Sequence, residues 1–593
     1  MLNRFFFSAV LLSVLTGCTI SENTAGAVVQ RDSFYVVFDK KFKPEDAQKA
    51  SLSGDVAGKK YPFVMPAKKS FYLENLCGTY TPIKDAAIVS FSIQAPADGI
   101  YYLGVGADYW YSCYLDGKLV GTTEPKGEPA GIPSYLNSRY KVRLKKGENR
   151  FFVHTRPGSG SWQFSCGLLP DLSAWPETYK ERQLLFNSQF PQNSMTGPFV
   201  THVSGDQAQI CFELSRNIAA ELRFKVSGQT GEIRTLSPRP VHGIIPRKKI
   251  HRFEVKRLLP GKKYEFEIFD MENFSGKIAS GSFTTLPSEA AGHTLTAISD
   301  TQIANLLRVE LIRSLVRKGV FKDTDLLVSL GDVATTFIDF SAAYFDSFLI
   351  PFREEGVHAP FYPVRGNHEY RGSDTDKFTQ YFGTPYYAFR YGDVLYIVID
   401  TGEDKPRILQ NGHYTLLTDT KTYFQQQKRW LESLVRSNLC KTAKKRIVLA
   451  HATPFEWESK YYAGNIASFA GVFFGKNPEC PIDLWLCGDI HSPYRFDPVT
   501  KELAGAARKL SKGRSGRLTA NDLKNIHFPV YVNDGPRGAG KDFSVTRLEV
   551  KPDHMKITCT GNDGTVMDEI IIRKNQPFKI NRSIYQKYIP YSR

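Results

Sequence analysis

The 593-residue sequence contains no CxxC pair, so no zinc knuckle is expected from its nine cysteines. Beyond the first twenty residues it has no run long and apolar enough for a membrane-spanning helix. The compositional bias of disordered chains is missing too: 42% of residues are apolar and 23% charged, as in ordinary globular proteins. Negative charge is under-represented. Lys and Arg number 77 against 60 Asp and Glu, a formal net charge of +17. That balance favours anionic partners (phosphorylated molecules, acidic polymers, a membrane surface) or marks a solvated basic exterior. At this length one core is too few, and about three or four domains are expected.

The amino terminus carries Arg4, the apolar run FFFSAVLLSVLTG and then Cys18. A positive residue before an apolar run too short to span a bilayer reads as a secretion signal. Leu15-Thr16-Gly17-Cys18 looks like a bacterial lipobox, in which the Cys is acylated. Residues 1–17 are thus expected to be a lipoprotein signal peptide, and 18–32 the lipidated Cys18 and a tether. The expected location is the bacterial cell envelope, lipid-anchored on a periplasmic or outer-membrane surface. The eight other cysteines allow disulfides in an exported protein without fixing a pairing; Cys440 and Cys480 flank His451 and could staple its loop.

Residues 33–167 alternate in short β runs separated by turns such as Asp116-Gly117. Together with LKKGENRFFVHTRPGSGSW they look similar to the jelly-roll, carbohydrate-binding-like β-sandwiches of secreted enzymes. Tyr109, Trp110, Tyr111 and Trp162 either stack on a sugar or fill the core. Residues 168–195 read as a linker. Seven-odd short strands in 196–288, with Leu259-Pro260-Gly261, resemble a fibronectin type III module.

Five later segments each pair an apolar run with a potential metal ligand: TLTAISDTQ (Asp300, Gln302), LLVSLGD (Asp332), YPVRGNHE (Asn367, His368), RIVLAH (His451) and LWLCGDIH (Asp489, His491). Apolar runs of this kind are buried strands, and in layered α/β folds functional groups collect beyond the carboxyl ends of strands. Each residue alone has a plainer reading, Asp as a helix N-cap or His as a core imidazole. The ordered set does not.

GD at 331–332, GNHE at 366–369 and the flanking FGTPYYAFRYGDVLYIVIDT resemble the calcineurin-like metallophosphoesterases, most closely their purple-acid-phosphatase-like branch. The resemblance implies that 289–575 form an α/β four-layer (αββα) metallophosphoesterase domain after two N-terminal β-sandwiches, with 576–593 a C-terminal tail. It implies two metal ions: one held by Asp300, Asp332 and His491, the other by Asp332, Asn367, His451 and Asp489, with Gln302 where many relatives have a ligating His. A metal-bridging hydroxide would attack the phosphorus of a mono- or diester, and His368 would serve the leaving group. Arg365 and Arg495 are candidate phosphate contacts. Asp489 replaces a family imidazole, which favours Mn, Fe or Mg over Zn. Thr335 replaces a family Tyr or Asp, so no purple colour and a less firmly held His368 are expected. The expected partners are a phosphorylated small molecule or anionic polymer as substrate, the membrane through Cys18, and a glycan on the first sandwich. The basic stretch 501–524 either clamps such a substrate or is a solvated loop. The alternative reading is a catalytically degenerate phosphoesterase fold that binds surface glycan or phosphate.

Overall fold

The computed structural model describes residues 28–588 except 57–60, 64–70, 74–85, 108, 125–137, 158–161, 170–194, 230–231, 273–275, 304, 405–418, 455–465, 492, 506–522, 534 and 536–543. The signal segment, Cys18, nearly all of the linker and most of the basic 501–524 stretch lie outside the described residues.

In the amino-terminal unit a six-stranded sheet contains Val28–Phe38, Ala87–Ala95, Gly147–Pro157 and Tyr109–Leu115 as successive neighbours. A four-stranded sheet is built around Gly99–Ala107 and Gln163–Leu169. The Tyr109–Leu115/Lys118–Thr122 hairpin turns at Asp116 and Gly117, both with positive φ (48° and 73°), as a two-residue loop between right-twisted strands requires. The two sheets share one core, in which Phe91, Phe151, Val105 and Phe164 meet. Tyr111 and Trp162 are 0% and 1% exposed, so these two are core residues and not a sugar platform. Trp110 lies under the Arg156 guanidinium, 4.8 Å from its ring centre.

The next unit divides between two sheets. Ala220–Val226, Arg234–Leu236, Lys263–Asp270 and Lys277–Thr284 make a four-stranded sheet of their own. Met195–Thr201, Gln207–Ile218 and Lys248–Lys256 instead continue a ten-stranded sheet, joined by a parallel pairing of Thr201 with Phe361. One apolar cluster runs from Ile210 and Phe212 to Leu295, Ala297 and Tyr362, so the core has no break at the sequence boundary of 288/289. The expected tail differs as well. Lys579–Ser583 pairs with Val566–Ile572 at one edge of the ten-stranded sheet, and Gln586–Tyr588 pairs with Glu502–Gly505 at the edge of an eight-stranded sheet. KINRS alternates too weakly to announce a strand; the ladder, not a buried face, holds it.

Strands His293–Ile298, Leu326–Ser329 and Phe361–Pro363 run parallel within the ten-stranded sheet. Val394–Val398, Lys445–Leu449, Leu484–Cys487 and Val530–Val532 run parallel within the eight-stranded one. Alternate residues of each strand face the other sheet (Leu295, Val328, Leu449, Leu486), and the intervening ones face elsewhere (Leu327, Val448, Trp485). Helices Asn305–Arg317 and Thr420–Arg436 lie where apolar periodicity predicts them. After strand Leu326–Ser329 the chain forms a wide π-turn helix, Ser341–Leu349, followed by Ile350–Glu354. Pro351 has no N–H for an ordinary α ladder. Within the wide turns Ser347 Oγ donates to the carbonyl five residues back, at 2.8 Å.

Candidate metal centre

All five ligand-bearing segments leave the carboxyl ends of those parallel strands, three from one sheet and two from the other. Asp300, Asp332, Asp489 and His491 have left-handed backbones (φ 51°, 58°, 74° and 53°). Non-glycine residues adopt that region at a cost, and such strain gathers at functional sites. Glycines admit the crowding: a Cβ on Gly366 would stand 2.3 Å from Asp332 Oδ1, and one on Gly488 2.7 Å from Asp300 Oδ2.

His451 is fully buried and its Nδ1 donates to the Leu330 carbonyl at 2.7 Å. That bond turns Nε2 toward three oxygens: Asn367 Oδ1 at 2.9 Å, Asp332 Oδ1 at 3.3 Å and Asp489 Oδ1 at 3.5 Å. A neutral imidazole would point a lone pair at lone pairs. Only a proton on Nε2 or a cation among these atoms resolves the conflict. Asp300 Oδ1 is buried, accepts no hydrogen bond among the described residues, and lies 3.5 Å from His491 Nδ1. Ligand atoms of Asp300, Asp332 and His451 all lie within 4.8 Å of one another. These residues fit a divalent cation: oxygen and imidazole donors, converging, buried, and with acidic charge in excess.

The electrostatics agree. Burial pushes the Asp300 carboxyl up to about 7, His451 opposing and the charges of Asp332 and Asp489 adding to the rise. Burial also opposes ionisation of Asp332, but the His451 imidazole and the His368 backbone N–H, which donates to Oδ1 at 2.9 Å, hold it below the usual carboxylate range. Gln302 reaches the cluster through its amide nitrogen, which donates to Asp332 Oδ2 at 2.5 Å. Rotating that amide by half a turn would present the oxygen instead.

The GNHE glutamate braces the strand ends. Glu369 is 1% exposed; its carboxylate accepts the backbone N–H groups of Asp332, Val333 and Gly366 at 2.9, 3.0 and 2.8 Å, and the Tyr344 hydroxyl at 3.1 Å. Tyr344 arrives on the π-turn helix.

His368 is held more firmly than the Thr335 substitution led us to expect. Its Nδ1 meets the backbone carbonyl of Thr335 at 2.6 Å, and Arg371 Nη1 donates to Nε2 at 2.6 Å. Burial and that guanidinium push the imidazole down to about 3, so it is neutral. Arg371 is in turn bound to Glu403 by two bonds of 3.1 and 2.8 Å and to Asp404 at 2.7 Å. The sequence reading missed Arg371, Glu403 and Asp404. Their signal was the acid-rich end of IVIDTGED, another strand ending in carboxylates.

The two arginines expected at phosphate are engaged elsewhere. Arg365 pairs with the buried Asp400 at 2.6 Å and lies 4.1 Å from the centre of the Tyr370 ring. Arg495 pairs with the buried Asp568 at 2.6 Å and is 3% exposed. Each neutralises a buried carboxylate, a task that the sequence does not separate from anion binding.

Residues 293–493 match the family model described as calcineurin-like phosphoesterase. The chain carries a calcineurin-like phosphoesterase domain. This phosphoesterase domain holds every residue of the cluster described above. No curated protein sequence matches the chain. Among solved structures, that of PhoD is similar at 12% identity, covering 66% of this chain and 91% of its own, with a TM-score of 0.42. The purple acid phosphatase PPD1 from yellow lupin (Lupinus luteus) seeds is similar at 13% identity, covering 82% of this chain and 93% of its own, with a TM-score of 0.43.

Proposed function

We propose that the protein is an exported, metal-dependent hydrolase of phosphate mono- or diesters, with a two-metal centre at the joined strand ends. The observation that carries this reading is the set of oxygens facing His451 Nε2, beside the bare Oδ1 of Asp300. Asp332 would be shared between the ions; Asp300 and His491 would help hold one, and Asn367, His451 and Asp489 the other, with Gln302 at the edge. The oxygen-rich donor set favours Mn, Fe or Mg. When bound, the ions polarise phosphoryl oxygens and make a nearby water acidic.

The remaining work falls to the chain's own groups. The Leu330 carbonyl fixes the His451 tautomer, and Glu369 fixes the two loops that carry Asp332 and Asn367. His368, with Arg371 against Nε2, faces the leaving-group side. Substrate displaces the guanidinium from Nε2; with its Nδ1–H on the Thr335 carbonyl, the imidazole then takes a proton from water at Nε2 and hands it to the leaving oxygen, and Arg371 is left to face the phosphate. We read the phosphoesterase domain as four-layered, the two units before it as β-sandwiches, and Cys18 as a lipid anchor in a cell envelope.

Elemental analysis of the full chain and of Asp332→Asn, followed by rates on aryl phosphate mono- and diesters, tests the proposal. Two metal equivalents, lost together with activity in the variant, are expected. A chain that binds no metal after incubation with manganese, or whose Asp332→Asn variant hydrolyses esters at the parent rate, would overturn it.

A further inference from the structure

Between strands Arg234–Leu236 and Lys248–Lys256 the chain crosses from one sheet to the other through SPRPVHGIIPR, a projecting loop with its own tight turn. Val241 and Ile244 exchange backbone hydrogen bonds of 2.8 and 3.0 Å around His242 and Gly243, whose φ values are 49° and 84°. The turn lifts apolar side chains into water: Val241 is 57% exposed, Ile244 72% and Ile245 37%. Around them stand Arg239, Lys248 and Lys249, all exposed, and residues 237–249 contain no Asp or Glu. Arg247, the remaining base, is paired with Glu272 at 2.8 Å.

Three features narrow what this tip meets. Its apolar side chains stand out into water on a four-residue turn and line no groove for a peptide among the described residues. Its few side chains fall well short of the roughly 1,200 Å² that a stable protein interface buries. Part of its backbone polarity is already removed: Pro238, Pro240 and Pro246 have no N–H, and Val241 and Ile244 satisfy each other. Isoleucine and valine at the apex, with Arg239, Lys248 and Lys249 in a segment that itself carries no acid, match a surface that is anionic outside and apolar just beneath.

We propose that the 237–249 loop is a membrane-docking element: Val241, Ile244 and Ile245 enter the interfacial layer, and Arg239, Lys248 and Lys249 bind anionic lipid headgroups. This contact belongs to the folded protein and is independent of acylation at Cys18 and of the phosphoesterase reading. It orients the protein on a bilayer, which a flexible tether alone does not.

The test uses the full chain carrying Cys18→Ser, so that no acyl chain contributes, and vesicles of phosphatidylcholine with or without phosphatidylglycerol. Replacing Val241, Ile244 and Ile245 by Ser should lower the partition constant about tenfold. Replacing Arg239, Lys248 and Lys249 by Gln should lower it on the order of a hundredfold on the anionic vesicles. In an Ile244→Trp variant the added indole should shift its emission to the blue on binding and be quenched by brominated acyl chains. All these positions are exposed, so thermal melting and ester hydrolysis should match the parent. Unchanged partitioning of both triple variants, equal binding to vesicles without phosphatidylglycerol, or no blue shift in the Ile244→Trp variant would overturn the proposal. So would loss of a dimer in the serine variant, by sedimentation, with vesicle binding intact; the tip would then be a protein interface.

Discussion

Burial and the Asp332 charge push the Glu369 carboxyl up to about 7, so above that pH Glu369→Gln removes one charge at almost no change of volume, and its effect measures the brace beneath the metal centre. The parent carboxylate accepts three backbone N–H groups and one hydroxyl. In the best arrangement the amide oxygen stands where Oε2 was and keeps Asp332 and Gly366. The NH₂ then confronts the Val333 N–H, donor against donor, while the Tyr344 hydroxyl rotates to accept. One buried N–H is orphaned at about 2 kcal/mol, and three bonds lose charge assistance at roughly 0.7 kcal/mol each, a total of about 4 kcal/mol. For a unit of this size that lowers the melting temperature by roughly 5–7 °C. The measurement is thermal unfolding with a chelator present, so that metal loss adds nothing. Tyr344→Phe, which forfeits a single contact, should cost only about 1 kcal/mol. A Glu369→Gln shift no larger than that of Tyr344→Phe would refute the brace and leave Glu369 a bystander.

Gly488→Ala places a Cβ 2.7 Å from Asp300 Oδ2 and should weaken Mn²⁺ binding at least about tenfold by calorimetric titration; unchanged affinity would remove Asp300 from the centre. Arg371→Met leaves Glu403 buried without its partner and should destabilise the fold by about 3 kcal/mol. The same variant should lower kcat more than it changes KM, while Glu403→Gln largely preserves kcat; equal losses in both would make the pair purely structural. His251 and His293 are pushed down to about 4 by burial, with smaller contributions from neighbouring lysines, and His202 to about 3 by burial and Arg252. As pH falls below 6.5 the unfolded chain takes these protons first. Stability is therefore complete above pH 6.5 and drains away toward pH 4, by about 3 kcal/mol per histidine at most. His293→Phe should flatten the slope of unfolding free energy in that window by about one proton; an unchanged slope would discount His293.

Strand ends were legible because their chemistry is conspicuous. Apolar runs such as LLVSLGD and LWLCGDIH name both a buried strand and its terminal ligand, and the structure brings those ligands together. What escaped were pairings between distant charges. Arg365 and Arg495 look the same in sequence whether they await phosphate or neutralise Asp400 and Asp568, because only the fold says which carboxylate is near. Arg371 was invisible for the same reason, its partners Glu403 and Asp404 lying more than thirty residues away. The edge strand Lys579–Ser583 escaped differently: four of its five residues are exposed, so no face marks it. Tyr111 and Trp162 show that aromatic residues suited to sugar stacking are equally suited to a buried core. The sulfurs of Cys440 and Cys480, read as a possible staple, stand 3.5 Å apart as buried thiols.

The shared ten-stranded sheet also governs the order in which the molecule can be made. Its strands come from residues 195 to 583, and the neighbour of Met195–Thr201 on one side is Phe361–Pro363. During synthesis that early strand waits, one rim open, until about 160 further residues have left the ribosome, a delay of roughly ten seconds or more. Both large sheets then receive an outermost strand from the last thirty residues. A premature stop that removed Lys579 onward would spare every metal ligand yet leave two rims uncapped, so its expected defect is self-association, with the chemistry intact.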